Sequence, residues 1–178
     1  MGAHVMNTES DLAGFDPKDL RRAFGRFGTG VTVMTTAGPD GRMVGITANS
    51  FNTVSLEPPI VLWSLSLRSP NLNNFKRAGR FVVNVLAIDQ VRLSDQFARP
   101  AEDKFAGVAY RLNEQGQPVL EGCVATLECV IIDARTVGDH ELFLGQVERY
   151  AYEATSPLLY CGGAYAQAQA LTRLDATN

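Results

Sequence analysis

Between Gly45 and Pro59 the chain reads Gly-Ile-Thr-Ala-Asn-Ser-Phe-Asn-Thr-Val-Ser-Leu-Glu-Pro-Pro, and the apolar run Ile60-Val61-Leu62-Trp63 follows directly. Thr47, Asn49, Ser50, Asn52, Thr53 and Ser55 crowd small hydroxyl and amide groups into a stretch where a core would call for Val, Ile or Leu, and Ala48 is the smallest residue among them. Polar groups beside a core must find hydrogen-bond partners, and small side chains let a flat ligand lie close to the backbone. The segment therefore predicts recognition of a planar, heteroatom-rich ring better than it predicts packing.

The elements that must position this segment are mostly strands. Asp16 reads as an N-cap with Pro17 at the first helical position, and Leu20, Ala23, Phe24 and Phe27 repeat at helical spacing until Gly28 and Gly30. Val31 to Ala37, the turn Gly38-Pro39-Asp40-Gly41 and Met43 to Thr47 read as a hairpin, with the ligand-like segment beginning where it ends. Ile60 to Leu67 is the next strand. Ser69-Pro70 predicts the start of a second helix that ends at Ala78-Gly79, ahead of the strand Phe81 to Leu86. Asp89 to Phe97 has helical spacing, and Asp103 to Gly107 reads as a short turn or helical fragment. Two long strand-like segments, Cys123 to Ala134 and Glu141 to Ala151, flank Val137-Gly138-Asp139-His140, and Leu158 to Tyr160 leads through Gly162-Gly163 to Tyr165. Many short strands with few helices predict a closed antiparallel barrel, because closure removes exposed strand edges. Asn84, inside an apolar strand, reads as a satisfied core amide.

Composition sets the outer limits. The chain has 178 residues, 20% charged and 46% hydrophobic, with a formal net charge of −3. That suits one soluble domain with a sizeable core. The sequence pI near 5.4 and the lack of a Lys/Arg stripe argue against a nucleic-acid partner. Nor does any apolar run reach the roughly 18 to 20 residues that span a bilayer. Cys123, Cys129 and Cys161 are odd in number, lie in apolar strand-like contexts and form no Cys-x-x-Cys pair, so they read as reduced core thiols in a cytoplasmic protein and no metal site is expected. No signal-peptide pattern opens the chain. Met1 to Val5 read as residues added ahead of a start at Met6, which sets His4 aside.

Phe24 to Thr36, Gly45 to Pro59, Ala78 to Leu86, Asp103 to Gly107 and Gly138-Asp139-His140 occur in one order that resembles the flavin reductase family. The likeness runs from about Phe15 to Tyr165 and includes the small reductase components of two-component aromatic monooxygenases. It implies a mainly β fold with a few helices, a split β-barrel of the FMN-binding type with an antiparallel, Greek-key-like barrel. On this likeness residues 1–14 are a disordered N-terminal segment, 15–166 the domain and 167–178 a tail with no assigned role. The resemblance further implies a homodimer, FMN or FAD, NADH or NADPH as hydride donor, and a separate oxygenase that receives reduced flavin. A reductase of a corrinoid or other bound acceptor, and a flavin-binding module without turnover, are the alternative readings.

Carried over by position, the resemblance lines the flavin ring and ribityl chain with Thr47, Ala48, Asn49 and Ser50, and sets Ser64, Leu65 and Ser66 beside it. Ser69, at the start of the second helix, and Lys104 would hold the phosphate. His140 would face the nicotinamide and Tyr165 would close the pocket. Read without the likeness, His140 is an exposed residue beside a turn, and Lys104 is a surface charge paired with Asp103. Hydride transfer between the two cofactors needs no protein nucleophile, so positioning residues are expected in place of an acid–base pair.

Overall fold

Alternating β-branched and aromatic residues make strands the commonest element of the chain, which the computed structural model describes at Gly14 and over residues 16–170. The rest of the 1–14 segment and the tail beyond residue 170 lie outside the described residues. In chain order the elements are α1 (Pro17–Phe24), β1 (Thr29–Gly30), β2 (Thr32–Ala37), β3 (Met43–Ala48), β4 (Asn52–Leu56), β5 (Pro59–Ser66), α2 (Leu72–Ala78) and β6 (Arg80–Val85). They continue with α3 (Val91–Ala98), β7 (Tyr110–Leu112), β8 (Pro118–Leu120), β9 (Ala125–Val137), β10 (His140–Tyr152), β11 (Leu158–Cys161) and β12 (Ala164–Gln167).

Local chemistry sets the helix ends. The Asp16 carboxylate accepts the Lys18 N–H at 2.9 Å ahead of Pro17, as the sequence predicts. The helix stops at Gly25, short of the expected Gly28, because the first glycine it meets already disfavours helix by about 1 kcal/mol. α2 ends at Gly79, whose φ of +66° suits the left-handed cap. Its start departs from expectation: Ser69 and Pro70 stand in a turn, where Ser69 Oγ accepts the Asn71 N–H at 3.3 Å, and the helix begins at Leu72.

Seven strands form one antiparallel sheet in the order β3-β2-β6-β9-β10-β5-β4, with smaller sheets β1-β11-β12 and β7-β8 beside it. The edge strands β3 and β4 are joined by residues 49–51 alone, so the sheet must curl until its edges stand within about 14 Å. No ladder joins them, and the expected closed barrel is corrected to an open, curled sheet. A side chain occupies the seam instead. Ser50 Oγ donates to the Ser64 carbonyl at 2.9 Å and accepts the Ser64 N–H at 3.0 Å, satisfying β5 where β4 has run out. The ligand-like segment is thus largely strand: Thr47 and Ala48 end β3, and Asn52, Thr53 and Ser55 lie on edge strand β4.

Both faces of the central strands are covered. Met34, Val61, Trp63, Leu65, Phe75, Phe81 and Phe143 form one core cluster, and Val31, Val33, Leu86, Phe97, Phe105 and Leu158 form another. β2 alternates between them, which is why Thr32, Thr35 and Thr36 are buried and donate to the carbonyls of Ala48, Pro118 and Arg80. Asn84 is the satisfied core amide expected: its Nδ2 donates to the Val33 carbonyl at 2.9 Å and its Oδ1 accepts the Leu120 N–H at 2.8 Å. Gly145 lets Phe81 lie flat on β10, since a Cβ there would overlap the ring.

Candidate functional site

Three chain segments enclose a cleft of about 520 Å³. β3 and the residue before it contribute Arg42 to Ile46, the end of β5 with its connection into α2 and the helix itself contribute Ser66, Arg68 to Asn71 and Asn74, and the end of α3 with the loop after it contributes Ala98 and Pro100 to Phe105. Three cations, Arg42, Arg68 and Lys104, face two carboxylates, Glu102 and Asp103, among hydroxyl and amide groups. This donor set suits a phosphorylated ligand, because guanidinium and ammonium groups give charge-assisted hydrogen bonds to phosphate oxygens.

Lys104 is built into the wall of the cleft. Its Nζ donates to the Phe97 carbonyl at 2.7 Å, at the end of α3, and to the Gly45 carbonyl at 3.4 Å on β3. A cation beside the last carbonyls of a helix completes hydrogen bonds that the helix leaves open. Partial burial lowers its pKa. An ammonium has three donors, so one remains for the cleft. Asp103 does not pair with it: the Asp103 carboxylate accepts the Phe105 N–H at 2.8 Å.

Ser66, Ser69 and Lys104 line this cleft, whereas Thr47 and Tyr165 converge elsewhere, on Ser94 of α3. Thr47 Oγ1 donates to the Ser94 carbonyl at 2.6 Å, and the Tyr165 hydroxyl lies 2.9 Å from Ser94 Oγ and 2.7 Å from Asp95 Oδ1. Partial burial is the main cause that raises the Tyr165 pKa. The hydroxyls of Thr47 and Ser50 are therefore already spent on the protein's own backbone. What residues 47–50 offer a ligand is the exposed Asn49, the small Ala48 and the backbone groups of an edge strand. Leu65 is buried in the core cluster, while Ser64 and Ser66 alternate to the other face of β5.

His140 opens β10 directly opposite Ser66 on β5. It follows the two-residue turn Gly138-Asp139, where Gly138 takes φ +59°. His140 Nδ1 lies 2.7 Å from Asp139 Oδ1, and since a carboxylate only accepts, Nδ1 carries the proton and a neutral ring leaves Nε2 as acceptor. The His140 hydrogen bond holds the Asp139 carboxyl below its usual range, with Arg68 adding a smaller effect. The turn is also tied to the cleft, because the Leu67 N–H donates to the Asp139 carbonyl at 3.0 Å.

Sequence reasoning missed Glu141, the neighbour of His140. It is 1% exposed on β10, with Oε1 2.6 Å from Lys76 Nζ on α2 and Oε2 accepting from Thr136 Oγ1 at 2.8 Å. The available signal was strand parity: Glu141, Phe143 and Gly145 alternate on one face, so a glutamate shares the core face with a phenylalanine. Among the described residues no group of three His, Cys, Asp or Glu side chains could hold a metal ion. Cys123 and Cys129 are buried free thiols, each pushed up to about 12 mainly by burial, whereas Cys161, expected in the core with them, is exposed at the end of β11.

Comparison with known proteins gives a consistent picture. The family model described as flavin reductase like domain matches residues 24–169. The reductase component of a flavin-dependent trigonelline monooxygenase from Acinetobacter baylyi is 41% identical over 148 residues, covering 83% of this chain and 48% of the relative. A flavin reductase of Pseudomonas putida is 39% identical over 151 residues, covering 84% of this chain and 89% of that one. The structure of an NADH:FAD oxidoreductase of Streptomyces globisporus, in complex with NAD and FAD fragments, superposes with a TM-score of 0.80 at 38% identity, covering 91% of this chain and 98% of that one. The chain spans about half the length of two of the curated relatives it matches.

Proposed function

The chain belongs to the flavin reductase like domain family, and on that premise we propose that it transfers hydride from NADH or NADPH to FMN or FAD and supplies the reduced flavin to a separate monooxygenase. The observation that carries this reading is the cleft of about 520 Å³, where Lys104, Arg42 and Arg68 stand ready for a phosphate beside the turn that presents His140.

The fit of residues to ligand supports it. Lys104, with its third donor, and Ser69 hold the phosphate, and Arg68 adds positive charge. Thr47, Ala48, Asn49 and Ser50 take the ring along the edge of β3, mainly through backbone groups, with Ser64, Leu65 and Ser66 beside them. Of the β5 residues Leu65 can offer only its main chain, since its side chain is in the core. A bound flavin supplies the redox chemistry by accepting hydride from the nicotinamide. The chain's own part is to bind, to orient and to exclude water. His140 accepts the carboxamide N–H of the nicotinamide through Nε2, held in that tautomer by Asp139. Tyr165, fixed on Ser94 and Asp95, closes the far side. By orienting both ligands in one site, these residues would avoid the entropy cost of a bimolecular encounter.

The same reading takes the curled sheet as the family's split barrel, with the Ser50 bridge at its split, and residues 15–166 as the domain. It also makes the chain a homodimer. Phe27 at 77% exposure, Leu56 at 94% and Tyr152 at 75% leave apolar surface that a second copy would cover. No helix among the described residues is long and apolar enough to cross a membrane, and the three free cysteines suit a cytoplasmic location. The test is NADH consumption with excess FMN under nitrogen: many turnovers per chain are expected, and a single stoichiometric bleach or none rejects the proposal.

A further inference from the structure

A buried carboxylate in a sheet is costly, and an apolar residue of the same volume is often as good for stability. Glu141 is such a carboxylate, and its partners come from three different elements. Across one ladder it faces Thr136 on β9, across the other Leu65 on β5, and its second oxygen meets Lys76 from the last turn of α2. The Lys76–Glu141 pair is the one side-chain polar tie between α2 and the sheet among the described residues. Phe75, the preceding residue, packs edge-on against Trp63 at 4.9 Å and anchors α2 in the core, but apolar burial is non-directional, whereas the bonded pair ties the helix to one point on β10.

The location of this tie gives it its consequence. α2 contributes Asn74 to the cleft, and the connection leading into it contributes Ser66, Arg68, Ser69, Pro70 and Asn71, so the seat of α2 sets one wall of the cleft. Glu141 is covalently next to His140, and His140 stands opposite Ser66. One carboxylate thus bonds the helix behind the wall that would hold the flavin and adjoins the residue that would hold the nicotinamide.

We infer that the Glu141–Lys76 pair is a positioning device that seats α2 and the 66–71 wall of the cleft at a fixed distance from His140. The inference rests on the proposed flavin reductase activity for its catalytic consequence, but not for its structural core. Neither residue lines the cleft, so both act through others.

The experiment compares Lys76→Met, which removes the charge but keeps the stem, with Lys76→Arg, which restores a cation able to reach Glu141. Ligand-free hydrogen exchange is read peptide by peptide, well below the melting temperature. Lys76→Met should raise exchange across residues 66–71 about tenfold while the β2–β3 hairpin keeps its protection, and Lys76→Arg should return it toward wild type. In the turnover assay Lys76→Met should raise KM for flavin about tenfold with a smaller change in kcat, and the arginine should recover it. A lower melting temperature with unchanged exchange at 66–71 would overturn the inference, as would unchanged exchange without any loss of stability. Should the wild-type chain fail to turn over flavin, the proposed function falls, while the exchange data still decide whether the pair seats the wall.

Discussion

Removing Lys104 separates two jobs of one ammonium, the support of α3 that the structure shows and the phosphate contact proposed for it. In the free protein its contact with the Phe97 carbonyl at 2.7 Å is a charge-assisted bond of normal length, and that with the Gly45 carbonyl at 3.4 Å is long and weak. One good bond of this kind is worth about 1.5 to 3 kcal/mol when buried. Lys104 is only partly buried, and solvent screening discounts the figure to about 1 kcal/mol of stability lost in Lys104→Ala. The third N–H, on the proposed reading, acts only when a phosphate arrives. FMN binding should weaken by about 1.5 to 3 kcal/mol, roughly 10- to 150-fold, while riboflavin, which lacks the phosphate, should weaken far less. Fluorescence titration of both flavins against wild type and variant, at a temperature where both are folded, reads the difference directly. Equal losses for FMN and riboflavin would show that Lys104 merely supports α3, and the phosphate assignment would have to move to Arg42 or Arg68.

Further expectations concern the hairpin and the core. His140→Ala should raise KM for NADH with a smaller effect on kcat and leave flavin affinity nearly unchanged, and steady-state kinetics that show kcat collapsing at constant KM would contradict the positioning role. Glu141 has its pKa lowered chiefly by the Lys76 hydrogen bond, so its stabilisation is present above the unfolded value near 4.5 and is lost as pH falls through the lower folded value. The melting-temperature gap between wild type and Glu141→Gln should therefore be full at pH 7 and shrink below pH 4.5; a gap that grows on acidification would reverse this sign. Gly145→Ala should cost about 1 to 3 kcal/mol through overlap with Phe81 and a Cys129 Cβ at 3.1 Å, measurable by urea unfolding, and an unchanged midpoint would mean that the ring has room to shift.

Much of the architecture could be read from local pattern. The β-branched alternation of β2, β5 and β6 and the left-handed glycine after α2 act over a few residues, and each stands within two residues of where the sequence places it. Closure could not be read this way, because it depends on how far a curled sheet brings β3 toward β4. The polar residues of the 47–55 segment show the same limit. Their composition signals unsatisfied neighbours, but Thr47 and Ser50 answer to the Ser94 carbonyl and the Ser64 backbone, partners distant in sequence. Lys104 likewise looks like a surface charge until α3 ends beneath it. The three-residue strands β7 and β8 carry too short a pattern to be seen, and Glu141 needed strand parity to be placed on the core face.

The central claim is that the cleft between β3, the 66–71 connection and the 98–105 loop takes the flavin. A crystal structure of the chain grown with FMN tests it most directly. The account predicts phosphate density within hydrogen-bond distance of Lys104 Nζ and Ser69, with the ring along Thr47 and Ala48. Flavin density elsewhere, with this cleft filled by water alone, would contradict it.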